Sequence, residues 1–187
     1  MKNKILLFLV IAIGSNLGLF AQKNSLKIAS EASESTFKAN AAQYRNSYSY
    51  KSNFESFAGF GNSSEIVVNY GKPILKNYQA YHYKDTNGKQ EKIIDTSFVE
   101  QAHNLGQSNL GAPILTMEEM YALCFKMLSK DTATHVLYFT TDKQGILSTC
   151  GYMQKGCMDD CFRGFNIIEF QWLNPIDYET PLPFKTK

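Results

Sequence analysis

A chain of 187 residues, 44 % of them hydrophobic, is long enough to bury a core of its own without depending wholly on disulfides. Its 19 basic residues exceed the 17 acidic ones by two, and Lys2 and Lys4 near the N-terminus account for that surplus. The balanced remainder has no basic patch interleaved with aromatics to suggest nucleic acid, and no polybasic stretch to suggest a membrane surface.

Residues 1–21 have the parts of a secretory signal peptide. Lys2 and Lys4 form the charged start, Ile5 to Ile13 the apolar run, and Leu17 to Ala21 a cleavage region ending in a small residue. The cut is expected after Ala21. The apolar run is about half the roughly 20 residues that a membrane span needs, and no later segment is long enough either. No cysteine lies near the cut to carry a lipid. The expected product is an exported protein, periplasmic or secreted, without a membrane span.

Residues 22–35, rich in Ser, Lys, Glu and Ala, read as a flexible lead into a single domain over 36–175. A short helix is expected over 30–45, with Phe37, Ala41 and Tyr44 on one face. Tyr48, Tyr50 and Phe54 alternate with polar residues, as in a strand buried on one side. Ile66–Val68 and Ile74–Tyr83 are further strand signals, and Asp85-Thr86-Asn87-Gly88 is a strong turn. These make a three-stranded antiparallel meander. Residues 93–115 look less regular, with a short helix expected over Thr96–Leu105 that turns Phe98, Ala102 and Leu105 inward.

Thr116 and Glu119 form a capping box. Behind it Met117, Met120, Tyr121, Cys124, Met127 and Leu128 make one helical stripe. Val136–Thr141, Ile146–Met153 and Phe165–Trp172 read as three more strands, followed by an extended tail over 176–187. Two runs of strands separated by helix predict an α+β fold: a curved antiparallel sheet of about six strands, packed by one long helix and an N-terminal helix in a cystatin-like arrangement.

Four cysteines in an exported chain imply two disulfides. Cys124 on the helix stripe can reach Cys150 in a strand beneath it, which leaves Cys157 and Cys161 to close a short loop. A zinc site fits only the last spacing and has no His nearby. Asp159 and Asp160 are too few to hold calcium by themselves, and turn chemistry explains them more simply. No cofactor is expected. With the thiols paired, no cysteine nucleophile remains. No serine elbow, phosphate loop or dinucleotide fingerprint is present. His82, His103 and His135 stand apart in sequence. An acid/base pair can be drawn from Glu100 and His103 on one helical face, with the Asp159–Asp160 loop as a metal-dependent variant; this is the enzymatic alternative. The favoured expectation is a non-enzymatic binding or inhibitor-like domain for a protein or small ligand. Its contact surface is the Tyr-rich meander, with Tyr48, Tyr50, Tyr78 and Tyr81, together with the 93–115 segment and His103.

Asn46-Ser47-Tyr48-Ser49-Tyr50, Ile66-Val67-Val68-Asn69-Tyr70-Gly71-Lys72, Thr116-Met117-Glu118-Glu119-Met120-Tyr121, Gly145-Ile146-Leu147-Ser148 and Asp159-Asp160 form a frame spanning residues 37 to 172. That frame resembles the secreted and lipoprotein domain-of-unknown-function family 6174. The resemblance implies a small exported α+β domain of cystatin-like or inhibitor-like shape, and it brings no catalytic residues.

Overall fold

The structure is a computed structural model that describes residues 23–86 and 88–175. The 1–21 leader with its expected cut, and the 176–187 tail, lie outside the described residues.

The first described element, α1, is helical over 23–41. Leu26, Ser30, Ser33, Phe37 and Ala41 follow one another at three- and four-residue steps and form its inward stripe. Residues 23–35 are therefore helical and not a flexible lead, and the domain begins well before residue 36. Two of the five inward positions are serines, so the stripe does not stand out as hydrophobic periodicity. Lys27–Glu31 and Glu34–Lys38 form pairs four residues apart on the other side. The helix ends where Arg45 and Asn46 adopt left-handed φ of 49° and 53°, and the Asn46 N–H returns to the Ala41 carbonyl.

Seven strands follow: β1 (Tyr48–Glu55), β2 (Phe60–Asn69), β3 (Lys72–Thr86), β4 (Lys89–Gln101), β5 (His135–Thr141), β6 (Leu147–Gln154) and β7 (Arg163–Trp172). Helix α2 (Met117–Leu128) lies between β4 and β5. The sheet order is β4-β3-β2-β1-β7-β6-β5, with every neighbouring pair antiparallel. Two meanders, β1–β4 and β5–β7, thus meet at the β1–β7 seam, and α2 carries the chain from one sheet edge to the other. The α+β class is as expected, but the sheet has seven strands and α1 is the longer helix. The additional strand is β4, where a short helix had been expected over Thr96–Leu105. Of that stretch only Ala102–Asn104 is helical, as a single 3-10 turn. As an edge strand β4 buries only Glu100, so it has no alternation to read.

The Thr116 hydroxyl accepts the Glu119 N–H while the Glu119 carboxylate accepts the Thr116 N–H, completing the capping box. Met117, Met120, Tyr121, Cys124 and Leu128 are buried beneath α2. Cys124 is bonded to Cys150 of β6, and Cys157 is bonded to Cys161. The only tryptophan, Trp172, stacks on Tyr44 and Phe37 with centroids 5.2 and 5.4 Å away.

Three buried tyrosine hydroxyls tie the helices to the sheet. Tyr48 Oη accepts the Met117 N–H at 2.8 Å, at the start of α2. Tyr50 Oη donates to the Leu115 carbonyl at 2.7 Å. Tyr121 Oη meets Ser33 Oγ of α1 at 2.7 Å and accepts the Leu147 N–H at 3.0 Å. Burial, first among the causes, raises all three hydroxyls above the ordinary pKa of 10.0.

Two predictions follow from these contacts. The Cys124–Cys150 bond spans 26 residues, so replacing both cysteines by alanine lowers the unfolding free energy by about 3.5 kcal/mol in urea denaturation. Losing Cys157–Cys161, which spans 4, costs about 2 kcal/mol. For the tyrosines, the folded chain keeps protons that the unfolded chain releases above pH 10.0, so their contribution is complete below that pH and is lost as pH rises further. Phenolate absorbance should show a class of tyrosines that ionises only together with loss of circular dichroism.

Candidate functional site

The tyrosines expected to form a contact surface face inward. Tyr48, Tyr50, Tyr78 and Tyr81 have relative exposures of 0, 1, 5 and 3 %. Tyr78 stacks on Phe98 at 4.8 Å, and Gly111 is pressed so closely against its ring that a Cβ there would collide. Tyr81 lies over Gly61 on the other side of the sheet, with Lys92 Nζ 3.5 Å from its ring centroid. Their rings are structural because β1 and β3 lie inside the sheet, not at its margin.

Glu100 and His103 do not share a helical face. His103 is exposed on the 3-10 turn. Glu100 is buried, and its two carboxylate oxygens accept the N–H groups of Gly106 and Ser108. Opposite it in the β3–β4 register stands Lys76, 2 % exposed, whose Nζ donates to the Leu110 carbonyl at 2.6 Å. Burial pushes the Lys76 amine below its ordinary value, and the neighbouring Glu100 charge opposes that shift. Ser64 Oγ accepts the Ala112 N–H. These contacts clamp the segment leading into α2 onto the sheet, so Glu100 works as an anchor.

Asp160 accepts a hydrogen bond from Ser56 Oγ at 3.0 Å, docking the disulfide loop against the β1–β2 turn. Among the described residues no cluster of three or more His, Cys, Asp or Glu is arranged to hold a metal. His82 does have a partner, Asp95 at 2.7 Å, and both are half-exposed. Asp95 is the extra residue of a bulge in β4, and for that reason the pairing was not visible in the sequence.

A concavity lies where the sheet comes apart. The β1–β7 ladder runs from Tyr48 opposite Trp172 to Ser52 opposite Ile167, with a register shift just before its end. Beyond it β1 pairs only with β2, while the start of β7 pairs only with β6. Side chains bridge the gap: Asn166 donates to Asn53 at 2.8 Å, and Thr149 donates to Asn166 at 2.9 Å. A groove of about 760 Å³ opens here. Met120, Leu123 and Met127 of α2 line it with Leu115, and Tyr138, Met153, Phe162 and Phe165 line it from the β5–β7 side. Of the predicted contact surface, Tyr50 and the 93–115 segment's Gly111, Ala112, Pro113 and Leu115 lie in its wall, and among the described residues Glu55 is the only lining residue with a formal charge. Phe57 and Met158, 99 and 91 % exposed, lie in the two loops joined by the Ser56–Asp160 bond. The Met120/Met127 spacing was visible in the sequence as a helix stripe, but the parting of two strands distant in sequence was not.

No family model, curated protein or solved structure matches the chain. Among the described residues no helix is long and apolar enough to cross a membrane.

The anchoring role of Glu100 has a direct test. Glu100→Ala removes two charge-assisted hydrogen bonds and should cost about 2 kcal/mol. Amide exchange at Gly106 and Ser108 should rise first, while the amides of β6 stay protected.

Proposed function

We propose that this protein is an exported, non-enzymatic binding domain, inhibitor-like in kind, that holds a protein segment or a small apolar ligand in the groove beneath α2. The groove carries the reading. Its volume of about 760 Å³ falls in the range of ligand sites, and it has mostly apolar walls with a few fixed polar groups, Ser52, Asn62 and Thr149 among them. Two disulfides suit an oxidising compartment, periplasmic or extracellular, as the leader's composition does. Membership of the domain-of-unknown-function family 6174 belongs to the same proposal, on the sequence frame spanning 37 to 172.

The test uses the chain purified from the exported fraction, whose N-terminus should read Gln22. The neutral apolar dye N-phenyl-1-naphthylamine should bind the native protein, and Leu123→Arg in the groove wall should weaken that binding about ten-fold with Trp172 emission unchanged. Dye binding insensitive to this substitution, or no binding at all, would sink the proposal.

A further inference from the structure

The two outer edges of the sheet are built differently. At one edge, β4 carries Lys89, Glu91, Lys92 and Asp95, all exposed, and a bulge interrupts it at Asp95. Exposed charges and a bulge keep an edge strand from pairing with another chain. At the other edge, Val136 to Thr141 of β5 hold no charge, no proline and no glycine. The one irregularity in the β5–β6 pairing puts its extra residue, Ser148, on β6. A straight edge of β-branched and aromatic residues without such guards is a template for a further strand.

The outward groups of β5 can be assigned. The Lys155 N–H bonds to the Thr134 carbonyl and the Asp142 N–H to the Ile146 carbonyl, so the even-numbered residues of β5 are those bonded to β6. In an antiparallel ladder a residue aims both its N–H and its C=O at the same neighbour. Leu137, Phe139 and Thr141 therefore aim theirs outward, and among the described residues no group bonds to them. The Leu137 side chain is buried, Val136, Tyr138 and Phe139 are half-buried, and Thr140 and Thr141 are exposed. A partner thus meets main chain and the outer flanks of these side chains.

Closure selects the occupant. Every neighbouring pair in the sheet is antiparallel, and a second β5 can continue that pattern about a two-fold axis, each copy using the same edge. Self-pairing of this strand sets no charge against a like charge. It also leaves the two guarded β4 strands as the outer edges of the joined sheet, whereas a strand from a different protein would bring a new edge of its own.

We infer that β5 is a homodimer interface, in which β5 of one copy pairs antiparallel with β5 of a second about a two-fold axis at Phe139. This register sets Phe139 opposite its own copy and Leu137 opposite Thr141. It satisfies all three outward residues with about six main-chain hydrogen bonds, two for each facing pair. The interface does not depend on what the groove holds.

The test uses the chain purified from the exported fraction. Sedimentation equilibrium over about 1–200 µM should show a dimer with a dissociation constant in the micromolar range or tighter. Amide exchange at Leu137, Phe139 and Thr141 should slow as the wild-type protein is concentrated, while Val136, Tyr138 and Thr140 exchange slowly throughout. That alternation is the signature of strand pairing, and it does not depend on the folding of any variant. Thr141→Pro deletes one outward N–H from each copy and leaves the β6 ladder intact, because residue 141 does not donate to β6. It should weaken the dimer about ten-fold, whereas Thr141→Val keeps the N–H and should dimerise as the wild type does. A monomer at every concentration overturns the inference. So does a dimer whose outward amides exchange equally fast at low and high concentration, since that dimer is built on another surface.

Discussion

The placement of both helices rests on the need of buried phenol groups for partners. A tyrosine in a core contributes ring area that favours burial, but its hydroxyl must find a hydrogen bond or carry a desolvation penalty of about 1–3 kcal/mol. Tyr48 and Tyr50 project from the central strand and meet that need at the first turn of α2 and in the segment leading to it. Tyr121 projects the other way, from α2 to α1 and β6. Sliding a helix along the sheet would leave polar groups unpaired in the interior, so a non-directional apolar contact becomes a fixed position. The groove inherits this, because α2 forms one of its walls.

The other wall depends on β7, which belongs to both meanders. Its C-terminal part pairs with β1 and its N-terminal part with β6. Gly151 and Gly164 face each other in the β6–β7 register, and the Phe162 ring lies where side chains on them would have to go. Glycine at these two positions lets an aromatic ring lie directly on the backbone. The disulfide loop and its bond to Ser56 hold this end of β7 near the end of β1 without restoring the ladder.

Much of the architecture was legible in the sequence where a local pattern coincides with a structural need. The capping box at Thr116, the stripe from Met117 to Leu128, the last three strands and both cysteine pairs are of this kind. Helix α1 was expected from residue 30, with Phe37 and Ala41 inward, but its first turns were hidden because Ser30 and Ser33 occupy inward positions, Ser33 as a hydrogen-bond partner of Tyr121. Strand β4 was hidden because an edge strand exposes both sides. The tyrosines were misread as surface, since a ring with a polar tip suits an interface and a core equally well, and only burial separates the two. The candidate site was the least legible part. It arises from two strands that stop pairing, which depends on residues more than a hundred positions apart.

Trp172 lies in the last strand, yet it packs against Phe37 of the first helix, and its strand pairs with β1 at the centre of the sheet. The earliest described parts of the chain thus complete their contacts only with the latest. During synthesis, an emerging N-terminal portion would have a central strand open on one side and a helix without its aromatic partner. The core can be completed only after nearly all of the chain is available.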